Sequence, residues 1–210
     1  VLHIQIVSIP AIARHCIILS RSLCRIHHRR VNRKFRYSVF LTNLIRQTDN
    51  FIADAACHRF GSGEGKATID ESIRGKDIFI LVDVCNHNIT YKMNGFINYK
   101  SPDDHYQDLK RVISAINGKA HRINVIMPFL YEGRQHKRNG RESLDCAYAI
   151  EELSNMGVSN FITFDAHDPR VQNAEPLCGF DNFTPPYQFI RALLGSEQNL
   201  IIDKDHLIVI

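Results

Sequence analysis

Hydrophobic and polar positions fall into regular blocks from residue 51 onward. Asp77–Val84, DIFILVDV, is an apolar run bounded by RGK and CNHN, which predicts a buried strand. SPDDHYQDLKRVISAING then reads as a helix with clear end signals. Ser101 is placed to cap it, Pro102 takes the first helical position, and Asp103 and Asp104 sit at the positive end of the dipole. Leu109, Val112, Ile113 and Ile116 share one face, and Gly118 ends the helix. RINVIMPF predicts the next strand. RESLDCAYAIEELSNMG predicts a second amphipathic helix, with Leu144, Ala147, Tyr148 and Leu153 turned inward and Gly157 past its end. NFITF predicts a strand, TPPYQFIRALLG a third helix opened by Thr184 and two prolines, and HLIVI a further strand.

Strands alternating with helices imply β-α-β units on a parallel sheet, so the fold class is α/β. Ligands of such sheets bind beyond the carboxyl ends of the strands. That rule singles out three loops on one rim, after Val84, after Phe129 and after Phe164. No internal repeat and no low-complexity segment is present.

Composition changes this picture in one place. The chain has 210 residues and a net charge of +4, enough for one domain or one and a half. Residues 1–50 carry nine Lys and Arg against the single acid Asp49, whereas residues 51–210 carry 17 against 21 acids. The basic character belongs to the first segment and the rest is mildly acidic. None of the 11 glycines precedes Gly61, and CRIHHRRVNRKFR has no clear period. Three readings of residues 1–50 stand side by side: a basic arm for a polyanion, a poorly patterned folded N-terminus, or a stretch translated in the wrong frame. Few aromatics and no nucleic-acid motif argue against nucleic acid as a partner. Six cysteines, none in a C-x-x-C pair, fit reduced thiols in a cytoplasmic protein. No apolar run approaches a membrane span. Arg14 and His15 interrupt the N-terminal apolar stretch, so no signal peptide is expected.

The rim loops carry the chemistry. LYEGRQHKRNGRES holds Arg134, His136, Lys137, Arg138 and Arg141 and leads into a helix N-terminus, where backbone N–H groups favour an anion. Clustered guanidinium and ammonium groups suit a polyphosphate, since Arg grips phosphate oxygens two at a time. The plainer alternative is a solvated basic loop. FITFDAHDPRVQN ends a strand in Asp165, His167, Asp168 and Arg170. A His with nearby carboxylates can hold a divalent metal, though Asp168-Pro169 is also a turn starter and Asp165 a backbone cap. RFGSGEGKAT is not a Walker A loop, because Ala67 replaces the Ser or Thr that would touch magnesium.

Together these pieces resemble ribose-phosphate pyrophosphokinase (phosphoribosyl-pyrophosphate synthetase) from Phe51 to Ile210. The resemblance rests on RFGSGEGKATIDESIRGKDIFIL, INVIMPFLYEGRQHKR, ESLDCAYAIEELSNMGVSNFITFDAH and DNFTPPYQFIRALL, in order and in β/α setting. It implies a phosphoribosyltransferase-like parallel-sheet domain over 51–196, with 197–210 the start of a second, incomplete one. It implies transfer of the diphosphate of Mg-ATP to the 1-hydroxyl of ribose 5-phosphate, with Mg2+ as cofactor. It also implies a homo-oligomer, commonly a hexamer, with ATP where subunits meet. By position, Phe60, Ser62 and Glu64 fall on the family's turn that reaches adenine from a neighbouring subunit. Arg134 and Gln135, followed by Lys137, fall on its ATP loop. His167 and Asp165 fall on its metal-binding, phosphate-facing pair.

Departures accompany the match. Ser62 stands where the family usually has Asp or Asn, and His136 where an acid often follows Arg-Gln. DPRVQNAE replaces the usual sequence after His167, and residues 85–101 form a longer link than usual. The family's catalytic residues and its ribose-phosphate loop are expected beyond Ile210. The chain is therefore expected to be a partial enzyme, inactive alone, or else a non-catalytic nucleotide-binding regulatory homologue.

Overall fold

Ile78, Ile80 and Val82 are fully shielded from water, so the DIFILVDV run makes the buried strand its composition predicts. The computed structural model describes residues 4–10 and 52–196. Among them the strands are β1 (Ile4–Pro10), β2 (Ile52–Ala53), β3 (Ala55–Arg59), β4 (Gly65–Ile69), β5 (Lys76–Val82), β6 (Thr90–Met93), β7 (Phe96–Tyr99), β8 (Arg122–Met127), β9 (Asn160–Phe164) and β10 (Gly179–Phe183). The helices are α1 (Pro102–Ile116), α2 (Asp145–Asn155) and α3 (Pro186–Ser196). HLIVI, and all but β1 of the basic segment, lie outside the described residues.

The main sheet has the order β10-β9-β8-β5-β1-β2. β5, β8, β9 and β10 are parallel neighbours, with Ile80 opposite Val125 and Val125 opposite Phe161. This is the predicted parallel sheet of an α/β fold. β8 lies between two parallel partners and is buried from Ile123 to Met127, as interior parallel strands are. The sheet is extended by β1, antiparallel to β5, and by β2, antiparallel to β1.

α1 forms for the reasons its sequence carries. Ser101 Oγ accepts from Asp104 N at 3.2 Å, and the Asp104 carboxylate accepts from Ser101 N at 3.1 Å, a reciprocal capping box. Asn117 and Gly118 take positive φ at its end, 52° and 63°. Leu109, Val112, Ile113 and Ile116 are its buried stripe, as predicted. α2 is rotated from the predicted facing. Cys146, Ala149, Ile150 and Leu153 are buried, while Tyr148 is 57% exposed. The helix has two adjoining apolar stripes, and only the one at spacing 146-149-150-153 is buried in the core; Leu153 alone belongs to the predicted set. Tyr106 and Lys110 of α1 bond Glu152 of α2 at 2.9 and 2.8 Å, which joins the two helices.

Two hairpins stand apart from the sheet. β3 and β4 pair antiparallel, as do β6 and β7. The second lies within residues 85–101, which the sequence showed only as a long link. Its signal is Asn94-Gly95 between TYKM and FINY, with φ 49° and 86°, the two-residue turn that matches strand twist. The hairpins touch at Gly63, where a Cβ would lie 2.6 Å from Met93 Sδ. Arg59 of β3, Lys100 and Arg111 surround the fully buried Asp108 carboxylate at 3.1, 2.5 and 2.7 Å. This clamp ties the first hairpin to α1. Among the described residues no helix is long and apolar enough to cross a membrane.

Candidate functional site

The chain leaves β8 through a tight turn. Gly133 N donates to Leu130 O at 3.1 Å, Gln135 N donates to Glu132 O at 2.7 Å, and Glu132 has φ 51°. A Cβ on Gly133 would approach Leu130 O to 3.2 Å, so the small residue permits the turn. Tyr131 anchors the turn to α1: its ring stacks on Tyr106 at 4.3 Å, and its hydroxyl donates to Asp103 at 2.7 Å. Beyond this anchor Arg134, Lys137, Arg138 and Arg141 are exposed, whereas Gln135 and His136 are partly buried.

β9 ends differently. Asp165 takes φ 51°, a left-handed conformation that Asp tolerates better than most residues. Asp165 N donates to Phe183 O at 2.8 Å, and Ala166 N donates to Asn182 Oδ1 at 3.1 Å. The end of β10 thus fixes where the Asp165–His167 segment turns. The carboxylate of Asp165 and the ring of His167 are exposed on the rim. The Asp168-Pro169 turn also forms: Asp168 Oδ1 accepts from Arg170 N at 2.9 Å and opens a 3-10 turn over Pro169–Ala174.

The two loops meet. His136 Nε2 lies 3.1 Å from Asp168 Oδ2, and the His136 and His167 rings are 5.4 Å apart. Arg170 grips the same carboxylate at 2.5 and 3.1 Å and, by these hydrogen bonds, holds Asp168 far below the usual carboxylate range. The third rim loop borders on Arg134. Burial and then Asp83 push the Cys85 thiol up, and Arg134 is near enough to oppose them. The structure therefore gathers Arg134, Gln135, Lys137, Asp165 and His167 on two adjoining loops. The His136–Asp168 contact bridges 32 positions of chain, and no sequence signal announces it.

Phe60, Ser62 and Glu64 lie elsewhere, at the tip of the β3–β4 hairpin. Phe60 N donates to Glu64 O at 2.8 Å, Ser62 Oγ donates to Glu64 Oε2 at 2.9 Å, and Asn94 N donates to Gly61 O at 2.8 Å. These bonds stay within the two hairpins and none reaches the rim loops. Phe60 is 53% exposed, an apolar ring left at the tip.

Among the described residues no three His, Cys, Asp or Glu side chains gather as metal ligands. The donor set nonetheless suits a magnesium ion that arrives with a polyphosphate. Such an ion keeps several waters and phosphate oxygens and takes only one or two carboxylates from the protein; Asp165 can supply one, and His167 beside it is the softer donor of the pair. An open groove of about 480 Å³ between α1 and α2, lined by Gln107, Lys110, Ser114 and Glu152 among others, includes none of these residues.

Comparison with known proteins shows the family. The family model for the N-terminal domain of ribose phosphate pyrophosphokinase matches residues 37–157, more than half of the chain and including part of the basic segment. Ribose-phosphate pyrophosphokinase B of Dictyostelium discoideum is 22% identical over 160 residues, 75% of this chain and 44% of that protein. Ribose-phosphate pyrophosphokinase of Vibrio parahaemolyticus is 28% identical over 124 residues, 58% of this chain and 35% of that protein. The match thus spans less than half the length of these relatives. The crystal structure of phosphoribosylpyrophosphate synthetase from Mycobacterium smegmatis superposes with a TM-score of 0.56 at 23% identity, over 69% of this chain and 44% of that one, a likeness of fold.

Proposed function

The chain belongs to the ribose phosphate pyrophosphokinase family, and on that premise we propose that its rim holds Mg-ATP for diphosphate transfer to the 1-hydroxyl of ribose 5-phosphate. The products are phosphoribosyl pyrophosphate and AMP. The observation that supports this reading best is the exposed cationic loop, Arg134 to Arg141, lying beside Asp165 and His167 at the carboxyl ends of parallel strands.

Phosphoryl and diphosphoryl transfer ask a protein for position and charge more than for covalent chemistry. Arg134 presents a planar fork that binds two phosphate oxygens, and Lys137 adds a mobile point charge. Gln135, tied back to Glu132, offers an amide between them. Asp165 and His167 would hold magnesium, which supplies charge neutralisation across the phosphates when bound. Phe60, Ser62 and Glu64 lie at the tip of the β3–β4 hairpin, bonded within the two hairpins. In this reading they meet the adenine of a nucleotide held by a neighbouring copy, in a homo-oligomer of cytoplasmic chains. In this reading the described residues supply the nucleotide half-site.

The test is calorimetric titration of the 210-residue chain with ATP, with magnesium and with a chelator. Binding should strengthen with magnesium, and His167→Ala should weaken Mg-ATP more than metal-free ATP. Equal weakening would remove the metal role from His167, and absence of ATP binding would sink the reading. Intact Mg-ATP binding with no AMP formed from ribose 5-phosphate, even beside an active family member, would favour the regulatory homologue.

A further inference from the structure

His136 and Asp168 are both positions where the resemblance breaks, and the structure puts them in contact. We propose that they form a latch that locks the Arg134–Lys137 loop onto the loop carrying His167, and that this latch sets where the phosphate-binding cations stand. The positioning part rests on the nucleotide reading above; the latch itself does not.

Three observations carry it. First, the cations of the loop are all exposed, while the His136 side chain is only 11% exposed and lies between them. It is the member of the loop that plugs into a neighbour. Second, its partner is rigid. Asp168 receives Arg170 through backbone N, Nε and Nη2, so its carboxylate is fixed by its own turn before His136 arrives. Third, the contact defines the ring. Nε2 is the ring atom 3.1 Å from the carboxylate, and Nδ1 is buried and without a hydrogen-bond partner. A buried polar atom left unmatched is costly, and the ring keeps this placement, packed against His167. An acid at position 136 would face Asp168 with like charge, so the two departures suit each other. His136 is on this view a positioning residue, acting through the backbone of Arg134 and Lys137.

A substitution series of near-constant size separates donor from bulk. His136→Gln keeps an N–H for Asp168, His136→Leu keeps bulk alone, and His136→Asp opposes the carboxylate. Each 210-residue variant is probed without nucleotide by the rate of tryptic cleavage at Lys137, Arg138 and Arg141, and in parallel by Mg-ATP affinity and melting temperature. Cleavage should follow wild type and Gln, then Leu, then Asp, with Leu about tenfold faster than wild type, the factor that corresponds to losing one polar contact to a charged group. Mg-ATP affinity should fall in the same order while melting temperature holds for Gln and Leu. Equal cleavage of Leu and Gln would overturn the latch, and this pair decides it even if the Asp variant does not fold. Ordered cleavage with unchanged affinity would overturn the positioning claim. A wild-type chain that binds no Mg-ATP would remove the nucleotide reading and the positioning claim with it, while the cleavage series still decides the contact.

Discussion

The hairpin clamp and the rim loops use the same residue types in opposite ways. Around Asp108, the cations Arg59, Lys100 and Arg111 converge on a carboxylate with no exposure at all, and Asp104 takes a second bond from Arg59 at 3.2 Å. On the rim, Arg134, Lys137, Arg138 and Arg141 are exposed and, among the described residues, make no ion pair. A cation buried against a carboxylate is a structural part, because removing its partner strands a charge away from water. A row of solvated cations without counter-ions contributes little to stability, since exposed charges interact weakly in water. On the nucleotide reading it is left open for the phosphates. The two regions therefore predict opposite responses: stability should track the clamp, and ligand affinity the rim.

The largest effect is expected at the clamp. Asp108→Ala leaves three cations without their shared partner and should lower stability by about 3–5 kcal/mol, read from urea denaturation. A loss under 1 kcal/mol would erase the contrast. On the rim, Arg134→Ala should weaken Mg-ATP binding about 10- to 100-fold, the range of a charge-assisted hydrogen bond of roughly 1.5–3 kcal/mol, with stability changed by less than about 0.5 kcal/mol. If instead its melting temperature falls as far as that of Asp108→Ala, the loop is structural. Ser101→Ala removes the capping box beside the clamp and should cost about 1 kcal/mol, measured in the same denaturation. The smallest effect concerns pH. Arg122, through hydrogen bonds to the carboxylate, lowers Asp77 from its ordinary 3.8 to about 2, with His121 adding to the fall. A depressed folded value means the contribution is complete above pH 3.8 and is lost as pH falls toward 2. Asp77→Asn should flatten that part of the stability profile, and an unchanged slope would assign acid sensitivity to other groups.

The comparison also shows why some of the molecule was legible and some was not. The stripe Leu109-Val112-Ile113-Ile116, the cap Ser101-Pro102 and the run DIFILVDV were readable because each is made by neighbours in sequence. The facing of α2 was not: two apolar stripes adjoin, and packing in the core selects Cys146 over Tyr148. The β6–β7 hairpin carried its signal in Asn94-Gly95, which the length of the link obscured.

The candidate site divides along the same line. Sequence by itself determined the residue types, the basic loop after β8, the acid-histidine end of β9 and their place on one rim, because side-chain chemistry and strand direction are local properties. It also carried the family, because the motifs keep their order and setting. Only tertiary structure decided that His136 meets Asp168, that Arg59, Lys100 and Arg111 share Asp108, and that the β3–β4 and β6–β7 hairpins meet at Gly63. Those facts depend on which distant segments approach within about 3 Å. Packing sets such distances, and no spacing along the chain encodes them.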